Sequence, residues 1–174
     1  ELSFEGNEAV SSPRYNLIFY NGGGFTLNVN GDEYAFESLF SFPTAGYNKL
    51  VCLDEVDRTG EAEWNVEVRT LNSSVTEVIC YGKYYKLNRL ITSAEHKITV
   101  KDTFRNLMEK DVGIILSNDV TVKGDVKNLY VCGVDYSDEG KRGGDFIVME
   151  EPKFGIPSDN PTLLIGKENT GVGL

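Results

Sequence analysis

The sequence predicts an all-β fold, an antiparallel β-sandwich with little or no helix. Three observations carry this. Val, Ile, Thr, Tyr and Phe dominate the chain, and their branched or flat side chains fit a pleated surface. No window of about a dozen residues keeps a 3.6-residue apolar period, whereas several short segments alternate with a period of two. Eighteen glycines, with clusters of Asn, Asp and Ser, divide these segments at the spacing of short strands joined by turns.

In chain order, Tyr15–Tyr20 reads as a short strand ending at Asn21-Gly-Gly-Gly24, a turn that lacks the Lys-Ser/Thr of a phosphate loop. Phe25–Val29 and Glu33–Ser38 flank Asn30-Gly31, a pair whose tolerance of positive φ favours a tight hairpin turn. Trp64–Leu71 alternates, with Trp64, Val66 and Val68 on one face, and Asn72-Ser-Ser74 turns the chain. Val75–Tyr81 and Lys83–Ile91 follow, divided by Gly82, which marks a bulge or bend. In His96–Asp119, Ile98, Val100 and Phe104 alternate with Thr99, Lys101, Thr103 and Arg105. Residues 106–111 break that alternation and Val112–Leu116 resumes an apolar run, so the stretch reads as two strands joined by a polar turn. Val126–Val134, Asp145–Met149 and Thr162–Ile165 complete the set. Ten or so strands at this spacing argue a sandwich or barrel. No linker, charge block or repeat divides the chain, so residues 1–174 read as one domain, large enough to bury a core. The start at Glu1 and the end at Gly171-Val-Gly-Leu174 read as the bounds of a piece of a longer chain.

Charge narrows the partners. Lys and Arg total 17 against 27 Asp and Glu, a formal charge of −10. Such a surface repels phosphate backbones and anionic lipid, so neither nucleic acid nor a membrane is an expected partner. No apolar run nears the roughly 18–20 residues of a membrane helix. Cys52, Cys80 and Cys132 each sit in an apolar context, far from the close spacing of a zinc site, and read as core thiols. The single histidine, His96, stands at a strand start beside Glu95 and Lys97, where a turn or edge role is expected. Asp135, Ser137, Glu139 and Gly140 imitate the start of a calcium loop. Phe146 nevertheless stands where a bidentate Glu is needed, and Lys141 and Arg142 bring positive charge, so a solvated turn is expected. No metal and no cofactor is expected.

Two polar residues interrupt apolar faces. Arg89 lies among Tyr85, Leu87 and Ile91, and Asp102 lies between Val100 and Phe104. A hairpin closing over Thr92–His96 would bring Asp102 opposite or diagonal to Arg89, and a paired guanidinium and carboxylate would satisfy each other. A ligand-facing Arg89 is the alternative. Trp64 reads as core by its strand face, yet an aromatic ring can also stack on the C–H-rich face of a sugar. Tyr84 is expected on the polar face with Lys86 and Asn88, a mix of flat surface and hydrogen-bonding groups that suits a glycan.

Ile98-Thr-Val-Lys-Asp-Thr-Phe-Arg-Asn106, followed by Asp111-Val-Gly-Ile-Ile-Leu116, resembles a segment of galactose-mutarotase-like "supersandwich" domains of polysaccharide-active proteins. Asn160–Gly166 with Gly171–Leu174 is similar to a later strand pair of such domains. The resemblance implies a β-sandwich of a larger carbohydrate-processing protein, with other domains of that chain as neighbours. Sugar epimerisation in that family uses histidines with a glutamate, and His96 alone cannot supply a histidine pair, so catalysis is not the expectation. The expected role is a non-catalytic domain that binds glycan weakly or braces a catalytic neighbour, with Trp64, Tyr84, Asn88, Arg89 and Arg105 as ligand contacts. The alternatives are an assembly module of a virion, tail or surface protein using sheet edges, and a carboxylate-based glycan hydrolase or lyase.

Overall fold

The computed structural model describes residues 15–95, 97–131, 134–138 and 162–174. His96, Cys132, most of the loop that imitates a calcium site and the expected strand Asp145–Met149 lie outside them. Every regular element among the described residues is a β-strand, as the alternation requires. The chain falls into two compact units, Glu1–Thr121 and Val122–Leu174.

The first unit is a sandwich of two antiparallel sheets. One sheet runs β1 (Tyr15–Phe19), β2 (Phe25–Val29), β3 (Asp32–Phe42) and β4 (Gly46–Leu50), with β9 (Leu116–Val122) also paired to β3. The other is a four-strand meander of β5 (Asn65–Asn72), β6 (Val75–Tyr81), β7 (Tyr85–Ala94) and β8 (Lys97–Asn106). Phe25, Phe40 and Leu50 of the first sheet pack on Val66, Val78, Cys80, Tyr85, Leu87 and Ile91 of the second, around Trp64. Fully burying each of these side chains contributes about 1.5–3 kcal/mol.

Local chemistry sets the hairpins. Asn30 and Gly31 both have positive φ, 52° and 93°, as a type I′ turn needs, and Val29 pairs with Asp32 across it. At Gly82 a Cβ would lie 2.4 Å from the Glu61 carboxylate, which accepts the Lys83 N–H at 2.7 Å. The expected interruption there is a bend between β6 and β7.

β4 escapes sequence reading because Gly46-Tyr-Asn-Lys-Leu50 has polar Asn48 at a buried position. Asn48 Nδ2 donates to the Tyr85 hydroxyl at 3.0 Å, and that hydroxyl donates to the Phe40 carbonyl at 3.2 Å. Asn48 Oδ1 also accepts the Glu61 N–H at 3.0 Å.

His96–Asp119 does hold two strands, but they do not pair. β8 joins β7, while β9 joins β3 in the opposite sheet. Val112 and Ile114 pack on the core as the chain crosses between sheets, and Ile115 exchanges hydrogen bonds with Ser41. The apolar run is a crossover rather than the return arm of a hairpin.

The second unit is a four-strand antiparallel sheet ordered β11 (Val134–Asp135), β10 (Asn128–Val131), β12 (Leu163–Gly166) and β13 (Gly171–Gly173). Leu129 and Ile165 are its buried apolar residues, and they pair in register.

Arg89 pairs in register with Asp102, with Nε and Nη2 each 2.7 Å from a carboxylate oxygen. Asp102→Ala strands a buried guanidinium and is expected to cost about 3–5 kcal/mol in urea unfolding. The double change Arg89→Met/Asp102→Leu should cost less than either single change, because no charge remains buried without its partner. A loss under about 1 kcal/mol for Asp102→Ala would remove the pair from the fold's foundations.

Candidate functional site

The meander sheet has an inner face in the core and an outer face in solvent, and the five residues expected to contact ligand divide between these settings. Trp64 is 0% exposed, its Nε1 donates to the Lys49 carbonyl at 3.1 Å, and its ring meets Phe40 and Tyr85. Arg89 is 4% exposed, and beyond Asp102 its Nη1 donates to Ser38 Oγ at 2.8 Å. Neither presents a face to solvent, because each is built into the core.

Tyr84 departs from the face expected for it. The bend at residues 83–84 takes it out of the strand's alternation, and its ring stacks on Phe42 of β3, 6.1 Å between centroids and 9° from parallel. Its carbonyl accepts the Leu107 N–H at 3.0 Å and Lys83 Nζ lies 5.6 Å from its ring centre. It closes an end of the sandwich.

Asn88 and Arg105 do lie on the outer face. The registers arrange that face in rows: Asn65, Tyr81, Lys86 and Arg105, then Glu67, Ile79, Asn88 and Thr103, then Arg69, Glu77, Leu90 and Lys101. Lys86 Nζ sits 4.7 Å from the Tyr81 ring centre, and Asn88 Nδ2 donates to Glu77 at 2.8 Å.

A concave site opens elsewhere, where β1 of one sheet faces β5, β6 and β7 of the other. It is a cleft of about 330 Å³. Tyr15, Leu17 and Phe19 form one wall, and Thr70, the Asn72–Ser74 turn, Thr76 and Ser93 form much of the other. The turn is self-organised, since Asn72 Oδ1 accepts the Ser74 N–H at 2.9 Å and the Ser74 carbonyl accepts the Ser93 N–H at 2.8 Å. The Tyr15 hydroxyl donates to the Ala94 carbonyl and fastens the two walls together. Among the described residues no carboxylate, amine, guanidinium or imidazole lines the cleft. Sequence reading took Asn72-Ser-Ser74 only as a turn; nothing along the chain signals that β1 comes to lie against it.

Among the described residues no group of three or more His, Cys, Asp or Glu is placed to hold a metal ion. Glu61 is buried, with Oε2 taken by Lys83 and Oε1 without a partner among the described residues. Its position fixes the β6–β7 bend. Compared with protein-family models, with curated proteins and with solved structures, the chain shows no match.

The thiols have distinct environments. Burial pushes Cys80 up to about 12, and it is 0% exposed. Burial, then the neighbouring Glu37 carboxylate, raises Cys52, which is partly accessible. A thiol held protonated in the folded state stabilises fully below its ordinary value near 9, and that contribution is lost as pH rises toward 12. Tyr85, pushed to about 12 chiefly by burial, acts in the same direction above 10. Urea midpoints should therefore fall between pH 9 and 11, and Cys80→Ala should flatten part of that slope. Peptide mapping after alkylation at pH 8 should find Cys80 modified only in denaturant. Rapid native labelling of Cys80 would contradict its placement.

Proposed function

We propose that this chain is a carbohydrate-associated, non-catalytic β-sandwich domain that binds a glycan in the cleft between β1 and β5–β7. The observation carrying this reading is the cleft's lining, which among the described residues joins aromatic surface to hydroxyl and amide groups without a charged side chain. Hydroxyls and amides both donate and accept, as sugar hydroxyls do, so each can complement the other without a fixed charge pattern. The rings of Tyr15 and Phe19 offer apolar surface to the C–H face of a pyranose. The volume lies at the small end of ligand pockets, about 300–1,000 Å³, which suits the end of a short oligosaccharide.

The resemblance of residues 98–106, 111–116, 160–166 and 171–174 to galactose-mutarotase-like domains supports the same reading. Hydrolysis is the weaker one, because a glycosidase flanks the scissile bond with two carboxyl groups and the described residues of the cleft wall supply none. Assembly through the β8 edge is also weaker, since Lys97, Lys101 and Arg105 on that strand disfavour pairing with another strand.

The test is a glycan array followed by calorimetry on the strongest oligosaccharide. Ser73→Trp, which fills the cleft from an exposed turn, should weaken binding by about tenfold or more, equivalent to 1.4 kcal/mol, at an unchanged melting temperature. Arg105→Gln, away from the cleft, should leave binding of a neutral oligosaccharide as it was. No array hit, or a hit indifferent to Ser73→Trp, would sink the proposal.

A further inference from the structure

We infer that the outer face of β7 and β8 is a second binding surface, shaped for a linear polyanion of sparse charge: an acidic glycan carrying carboxylate or sulfate groups. The choice of polymer rests on the carbohydrate reading above; the surface itself rests on separate observations.

The outward positions of β8 are Lys97, Thr99, Lys101, Thr103 and Arg105, all exposed. Those of β7 are Lys86, Asn88, Leu90, Thr92 and Ala94. Four cations thus share this half of the face and neither strand contributes an outward Asp or Glu, although acids outnumber bases 27 to 17 along the chain. Lys97, Lys101 and Arg105 take part in no ion pair among the described residues.

Cationic side chains on an edge strand have an ordinary use, which is to deter edge-to-edge pairing. That accounts for Lys97, Lys101 and Arg105 but not for Lys86. Lys86 stands on an interior strand, directly opposite Arg105 in the ladder. Like charges so placed repel, and nothing on β7 or β8 offsets them. Tyr81 holds the Lys86 ammonium over its ring, 4.7 Å from the centre, so the cation is set on the face rather than swung away. A local rule broken on an otherwise regular sheet is where a binding role is expected.

Spacing and surroundings select the polymer. Lys97, Lys101 and Arg105 recur every fourth residue, so successive cations stand about 13 Å apart along the strand. A nucleic-acid strand presents a phosphate about every 3.4 Å, and an overall charge of −10 opposes so dense a polyanion. Single-stranded nucleic acid also needs open aromatic faces for its bases, whereas the Tyr81 ring is already covered by Lys86. A chain bearing one acidic group per disaccharide or longer repeat meets neither objection, and Thr99 and Thr103 supply hydroxyls between the cations.

The experiment immobilises hyaluronate, whose carboxylates fall once per disaccharide, with neutral dextran and single-stranded oligothymidylate, and measures binding of the intact chain over a salt series. Hyaluronate should bind, with affinity falling as salt rises. Lys86→Gln/Lys101→Gln/Arg105→Gln should bind about tenfold or more weakly with a shallower salt dependence, because fewer counterions are released. Its melting curve should stay unchanged, and Ser73→Trp should bind the acidic polymer normally. Absence of acidic-polymer binding at low salt, indifference to the triple change, or tighter binding to oligothymidylate would each overturn the inference. A neutral oligosaccharide bound in the cleft with no acidic-polymer binding defeats this inference alone; acidic-polymer binding with an empty cleft defeats only the cleft reading.

Discussion

A guanidinium buried between two sheets is the constraint around which this sandwich is arranged. Arg89 is buried, and removing such a charge from solvent costs several kcal/mol unless partners surround it. Asp102 takes two of its donors and Ser38 Oγ takes a third, while Ser38 in turn donates to Asn118 Oδ1 at 2.7 Å. The Phe40 ring lies 5.5 Å below the guanidinium carbon. One cation therefore ties β7 and β8 of the meander to β3 and β9 of the facing sheet. Strand register on both sides follows, because a slip of one residue would turn each partner to the opposite face. The Asn48–Tyr85–Phe40 chain of hydrogen bonds makes a second polar tie between the same sheets.

Much of this was legible along the chain because it depends on local alternation. Trp64–Leu71 showed itself by its period of two, Val75–Tyr81 by the Asn72-Ser-Ser74 turn and Gly82 on either side, Asn30-Gly31 by its turn chemistry, and the Arg89–Asp102 pair by two charges that break apolar faces of neighbouring strands. What stayed hidden depends on contacts distant in sequence. β4 carries a buried Asn48, whose partners are a tyrosine 37 residues away and the Glu61 N–H. Val112–Leu116 is apolar because it crosses the core between sheets, and an apolar run has the same composition as a strand. Tyr84 follows the strand's period in sequence, but the bend held by Glu61 turns it onto Phe42.

The candidate site was less legible than the fold, for a physical reason. Aromatic and polar residue types flagged Trp64 and Arg89, yet both types are also used to build a sandwich core, and here the core holds them. The cleft is composed of residues that look ordinary in sequence: a strand end, an Asn-Ser-Ser turn and scattered threonines. Only the approach of β1 to the β5–β6 hairpin and β7 makes a neutral, concave surface of them. The cationic half-face is different, since its period of four along β8 is visible in sequence but Lys86 opposite Arg105 is visible only in the register.

The proposed function depends on a sugar entering the cleft between β1 and β5–β7. An amide-resolved NMR titration of the ¹⁵N-labelled chain with a neutral oligosaccharide tests it most directly. Saturable shifts should concentrate in residues 15–19, 70–76 and 91–93, with β8 amides unmoved. Shifts centred on other elements, or no shifts at millimolar sugar for any oligosaccharide, would contradict it.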